Sequence, residues 1–160
     1  MARSGGRQGA EEYHVLARNR KARHDYAIDE VCEAGLGLVG SEVKSIREGK
    51  VSLVDAFAVI EGGEAWLVEL DIGAYGFAHA RNHDPRRRRK LLLHRSEIDR
   101  LAGKVQAKGL TLVPLSLYEK AGRVKVELAL VHGKREFDRR EDMKKREAQQ
   151  EIDRAMSRRR

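Results

Sequence analysis

Apolar and polar positions alternate along much of this chain. In RVKVELALV (123–131), Val124, Val126, Leu128 and Leu130 alternate with Arg123, Lys125, Glu127 and Ala129, the period of a strand with one buried face. LTLVPLSLY (110–118) is a second extended run, joined to the first by the turn-forming EKAG, so the two predict a hairpin. Pro114 has no N–H to give, which places its strand at an edge or a bulge. A second hairpin is predicted by AFAVIE (56–61), Gly62-Gly63 and EAWLVELDI (64–72), the glycine pair supplying the positive φ of a tight hairpin turn. YHVLA (13–17) and HDYAIDEV (24–31) add two further strands.

Helical periodicity is sparse. Ser41 before EVKSIRE, with Gly49 beyond it, predicts an N-cap and a C-terminal glycine around two turns. Ser96-Glu97-Ile98-Asp99 resembles a capping start, and Ile98, Leu101, Ala102 and Val105 then share one face. Short strands with one or two small helices predict a mainly β fold, an OB-fold-like antiparallel barrel over residues 13–132 behind a flexible 1–12. From residue 133 the alternation stops. Only Met143, Ala148, Ile152, Ala155 and Met156 form a thin apolar stripe in 133–160, so a basic tail, disordered when free and helical on a partner, is expected.

Charge sharpens this picture. The 160 residues carry 33 Lys+Arg against 25 Asp+Glu, a net +8, and only 5% are aromatic, so the core rests on Leu, Val, Ile and Ala. RNHDPRRRRK (81–90) has five arginines and one lysine against Asp84, a net of 6 − 1 = +5 around Pro85, and predicts a basic surface loop. RNRKARHD (18–25) is a second basic run, and 134–160 holds eleven Lys/Arg against seven Asp/Glu. Three such runs around one small core point to a polyanion. Tyr26, His24, Trp66, Tyr75, His83 and Phe137 are available to stack on bases, although Trp66, inside WLVEL, is expected in the core. No apolar run approaches the roughly 18 residues of a membrane helix, and no apolar segment follows the first arginines. A cytoplasmic protein without a membrane partner is expected. The single Cys32 has no pairing partner.

Two motifs invite other chemistry. Gly35-Leu36-Gly37-Leu38-Val39-Gly40 matches GxGxxG with Asp55 beyond it. However, HDYAIDEV is too charged for a central parallel strand, Glu42 would repel a pyrophosphate, and the chain shows hairpins instead of βαβ units. Tight barrel turns account for these glycines better. His79 and His83 lie four apart, but Asn82, Asp84 and Pro85 predict a loop, and no third metal ligand is near. No nucleophile, dyad or acid pair stands out. No enzyme activity, cofactor or metal is expected.

The arrangement as a whole is more specific. NRKARHDYAIDEVCEAGLGLVGSEVKSIREGK (19–50), NHDPRRRRKLLLHRSEIDRL (82–101), KGLTLVPLSLY (108–118) and GKREFDRR (133–140) together resemble the SsrA-binding protein, or small protein B, family. The resemblance implies an OB-type barrel that binds the tRNA-like domain of tmRNA and brings it to stalled ribosomes for trans-translation. Elongation factor Tu and alanyl-tRNA synthetase would be partners through the shared tmRNA. The alternative is a generic OB-fold translation factor or ribosomal protein.

By motif, the resemblance places Asn19, Lys21, Arg23, His24, Glu33, Lys44, Arg47, Arg89 and Lys90 on the RNA-facing surface. Glu33 would accept from a base amino group or orient an arginine, and its bland reading is a salt bridge within the barrel. Gly133, Lys134 and Arg135, then Phe137, Asp138, Arg139 and Arg140, would engage the small-subunit decoding centre and its rRNA. Phe137 stands where the family usually has His or Tyr, so it can stack but cannot donate a hydrogen bond.

Overall fold

The computed structural model describes residues 13–78, 82–133 and 136–158, the side chains of 136–143 excepted. The expected flexible 1–12, together with His79, Arg81, Lys134 and Arg135, lies outside the described residues. The chain order is β1 (Tyr13–Arg18), α1 (Arg20–Asp25), β2 (Tyr26–Leu36), α2 (Gly40–Arg47), β3 (Val51–Ser52), β4 (Phe57–Glu61), β5 (Glu64–Val68), β6 (Asp71–Ile72), β7 (Arg89–Leu92), α3 (Arg95–Lys108), β8 (Thr111–Lys120), β9 (Arg123–Gly133) and α4 (Glu136–Arg158).

Both predicted hairpins are present. Gly62 and Gly63 turn β4 into β5 with φ of 60° and 74°, and Ala121 and Gly122 turn β8 into β9 with φ of 51° and 73°. Two successive positive φ values give a turn whose twist matches the strands. Seven strands pair antiparallel in the order β1-β8-β4-β5-β7-β2-β9, β8–β9 pairing closes this sheet on itself, and β3 and β6 pair antiparallel in a second, two-stranded sheet. β8 meets β4 at Leu112 and β1 from Ser116 to Lys120 on one side, and β9 on the other. Its register with β9 shifts between Pro114 and Ser116. Proline therefore sits at a bulge of an interior strand, where its missing N–H removes no ladder bond.

Leu67, Leu91, Leu117, Val126 and Leu128 fill the barrel, with Ile98 and Leu101 of α3 packed on it. The alternation in β9 is obeyed, but Ala129 and Val131 on its other face are buried too, with Val113 and Leu115, under Ala22 of α1 and Tyr26. This second cluster explains why the 110–131 hairpin is apolar on both faces at one end.

Local expectations change in several places. His24 and Asp25, read as strand, close α1, and Tyr26 begins β2. The N-caps are Val39 and His94, not Ser41 and Ser96. Gly35 and Gly37 make no tight turn: neither has a positive φ, and a Cβ on Gly35 would lie 3.0 Å from Leu92 Cβ, one on Gly37 3.4 Å from the Lys90 carbonyl. They let β2 approach β7. Trp66 is half-buried on the outer side of β5, between inward Ala65 and Leu67, with the Arg88 guanidinium 5.4 Å from its ring centroid. Residues 136–158 form a helix with no partner present. Its sequence is rich in strong helix formers and free of Gly and Pro, and Gln149 donates to Asp153 one turn on at 3.0 Å. Its stripe stays uncovered, Ile152 and Met156 being exposed.

Candidate nucleic-acid interface

Asn19 builds the start of α1. Its Oδ1 accepts from Ala22 N–H at 3.1 Å, while its Nδ2 donates to the carbonyls of Leu53 at 3.2 Å and Pro114 at 3.0 Å. The side chain is buried with every polar atom engaged, so Asn19 fastens α1 to the barrel and does not face solvent. The helix it caps projects Arg20, Lys21, Arg23 and His24 to solvent. Neither Arg20 nor Lys21 has a carboxylate partner among the described residues. Arg23 reaches Glu127 on β9 at 3.0 Å, and His24 Nδ1 lies 2.9 Å from Asp25.

Glu127 stands directly opposite Glu33 in the β2–β9 ladder. Two facing carboxylates repel, and each has its own compensation. Arg23 serves Glu127, while Glu33 accepts from the Tyr118 hydroxyl and lies 3.6 Å from Lys120 Nζ. Burial, then the bond to Glu33, pushes the Tyr118 pKa up, so the hydroxyl stays a donor. Tyr13 packs on the Tyr118 ring, centroids 4.6 Å apart. Glu33 is thus held by barrel groups, as its bland reading has it. On α2, Arg47 pairs with Glu119 at 2.7 Å, and Lys44 Nζ lies 5.4 Å from the Tyr75 ring centroid.

Residues 82–88 are the expected surface loop, with Arg89 and Lys90 already in β7, but the charge of this segment is not free. Its cations all meet carboxylates from elsewhere in the chain: Arg86 meets Glu69, Asp71 and Asp55, Arg87 meets Glu42, Arg88 meets Glu61, Arg89 meets Glu42, and Lys90 meets Glu64. Arg89 is fully buried. Besides Glu42 it donates to the carbonyls of Leu70, Arg87, Asp84 and Pro85, so its guanidinium is spent inside the protein. Strand alternation is the reason: Arg89 and Leu91 point inward, Lys90 and Leu92 outward. Burial opposes the charge on Glu42, yet hydrogen bonds from Arg87, the Val39 N–H and Arg89 outweigh it and hold the carboxyl below the usual carboxylate range. Burial pushes the Arg89 pKa down, against Glu42.

Exposed cations thus stand on α1, on α2 as Lys44 and Arg47, and on the outer side of 86–90 as Arg86, Arg88 and Lys90. Sequence reading missed Glu127 and Tyr118 beside Glu33, since no local signal pairs β2 with β9. Gly133 ends β9 opposite Tyr26. Phe137, Asp138, Arg139 and Arg140 fall in α4, their side chains outside the described residues. Among the described residues no group of three His, Cys, Asp or Glu could hold a metal, and no helix is long and apolar enough to cross a membrane.

The chain is similar to known proteins over nearly its whole length. The family model for SmpB protein matches residues 16–158. The SsrA-binding protein of Mycolicibacterium paratuberculosis is 54% identical over 98% of this chain and 91% of its own. That of Corynebacterium jeikeium is 60% identical over 91% of this chain and 79% of its own. A chain of a solved structure described as "tmRNA-SmpB: a journey to the center of the bacterial ribosome" superimposes with a TM-score of 0.64 at 53% identity, covering 75% of this chain and 85% of that one. With one family model spanning barrel and tail alike and relatives more than half identical across both, the chain belongs to the SmpB protein family.

Proposed function

We propose that this protein is an RNA-binding adaptor that holds the tRNA-like domain of tmRNA and delivers it to stalled ribosomes for trans-translation. The observation that carries the reading is α1: a short helix clipped to the barrel by Asn19 that presents Lys21, Arg23 and His24 to solvent beside the Glu127–Glu33–Tyr118 face. Cations on a rigid scaffold neutralise phosphates without losing much freedom on binding. Lys44, Arg47 and Lys90 extend the surface, with Glu33 as its acidic anchor, and Asn19 and Arg89 support it from beneath. The similarity to SsrA-binding proteins supplies the RNA.

The tail is assigned to the ribosome. Gly133 to Arg135, with Phe137 to Arg140, would reach the decoding centre, and α4 would take up the empty message channel. Elongation factor Tu and alanyl-tRNA synthetase would meet this protein through the same RNA. A gel shift tests the assignment: the tRNA-like domain of tmRNA is expected to be retained at concentrations where elongator tRNA is not. Equal retention of both would favour a general OB-fold translation factor.

A further inference from the structure

A cleft of about 600 Å³ opens beside α2, walled by Lys44, Tyr75, Phe77, Asn82, His83 and Arg87. Among the described residues no aspartate or glutamate lines it. Phe77 is 78% exposed, an unusual position for a ring of that size. Its centroid lies 5.5 Å from that of Tyr75 at 60°, so the pair forms one tilted aromatic wall.

The wall is held in place from behind. Asn82 bonds Tyr75 twice, accepting from its N–H at 3.0 Å and donating to its carbonyl at 2.8 Å. The side-chain amide thereby imitates a neighbouring strand. His83 donates from Nε2 to the Ile72 carbonyl at 2.9 Å, and its Nδ1 lies 2.9 Å from the Ser41 hydroxyl. These bonds fix the segment around residues 75 and 82 to both the barrel and α2. On the cationic side, Lys44 Nζ lies over Tyr75, 5.4 Å from its centroid. Arg87 is one-third exposed while its guanidinium is braced by Glu42 and the Gly37 carbonyl. Glu42, the carboxylate that braces Arg87, is buried under two arginines, so the cleft presents positive charge and π surface together.

We infer that this cleft is a clamp for a single unpaired nucleotide of an RNA chain, its base stacked on Phe77 and Tyr75 and its phosphate held by Lys44 and Arg87. The inference rests on RNA binding as proposed above and assigns a specific ligand group to a cleft that joins Lys44, one of the RNA-facing cations, to Phe77, which no sequence motif singles out. An extruded base offers a π face for the aromatic wall and brings its phosphate within reach of both cations. A paired base offers neither.

Two RNA hairpins of the same stem test it with the full-length protein, one fully paired and one carrying a single bulged 2-aminopurine. The wild type is expected to bind the bulged hairpin about tenfold more tightly, within the range that stacking on an aromatic side chain supplies, and to quench its fluorescence. Phe77→Ala, at an exposed position outside the core, should abolish both the preference and the quenching while leaving the paired hairpin's affinity unchanged. Phe77→Trp should restore them, and Lys44→Ala should weaken the bulged hairpin more than the paired one. Equal affinity of the wild type for the two hairpins, or a preference that survives Phe77→Ala, would overturn the clamp. Displacement of the bulged hairpin by micromolar AMP would also overturn it, since the site would then take free nucleotides. A wild type that binds neither hairpin nor the tRNA-like domain would instead remove RNA binding itself.

Discussion

The carboxylate of Glu42 and the guanidinium of Arg89, 47 residues apart in the chain, meet in a fully buried ion pair beneath the first turn of α2. Arg87 closes the same carboxylate from the solvent side. The pair ties α2 to the start of β7, and through Leu70 and Pro85 to the loop between.

Removing the Glu42 charge leaves Arg89 buried and uncompensated. Glu42→Gln should destabilise the fold by about 3–5 kcal/mol, read as a lower urea midpoint. Because the folded-state pKa of Glu42 is depressed from 4.5, its contribution is complete above that value and is lost as pH falls through the lower folded value. Wild-type melting temperature should therefore drop more steeply below pH 4.5 than that of Glu42→Gln, and parallel curves would exclude the linkage.

Asn19 separates support from contact. Asn19→Ala leaves the Leu53 and Pro114 carbonyls without their donor and uncaps α1, a loss of about 2 kcal/mol. At a temperature where the variant stays folded, its affinity for the tRNA-like domain should remain within about threefold of wild type, since α1 retains its cations; thermal melts and gel shifts together read this.

Lys21 and Arg88 are expected to differ although both are surface cations. Lys21 has no carboxylate partner among the described residues, whereas Arg88 lies 2.9 Å from Glu61 and stacks over Trp66. Lys21→Ala should flatten the slope of log K against log salt by about one contact, and Arg88→Ala should leave it unchanged. Titrations at four salt concentrations suffice.

The glycines of 35–40 should not respond alike. Gly35→Ala drives a Cβ to 3.0 Å from Leu92 Cβ and should lower stability by about 1–3 kcal/mol. Gly40→Ala has open space within 4 Å and a helical position, so it should be neutral or raise stability by about 0.5 kcal/mol. Neither should acquire or lose nucleotide binding.

A chain ending at Gly133 keeps β9 complete. It should melt as wild type does and bind the tRNA-like domain with similar affinity, yet fail to support tagging of nascent chains on stalled ribosomes. Full tagging activity would remove the tail from the proposed role.

Much of the barrel was legible because strand period and hairpin glycines are local signals: Val124, Val126, Leu128 and Gly62-Gly63 announce themselves within a few residues. The limits were also local. The run 86–90 reads as free positive charge only while Glu42, Glu61, Glu64 and Glu69 are out of sight, and folding brings all four to it. Arg89 counts as a surface cation by composition and as core by strand alternation, and alternation prevailed because a buried carboxylate was waiting. Asn19 carried a true signal, an N-cap residue ahead of RKARHD, but its two bonds to distant carbonyls could not be read from one stretch of chain. Phe77, the most exposed ring among the described residues' large hydrophobics, carries no local signal of that exposure.

The 23 residues of α4 also act as a measure of distance. Wound as a helix they span about 35 Å; drawn out, the same residues would reach about 75 Å. Winding this segment thus halves the radius within which its terminal arginines can find a phosphate, and it delivers them at a fixed spacing instead of a broad spread. Whatever stabilises or melts α4 resets how far from the barrel this protein can touch.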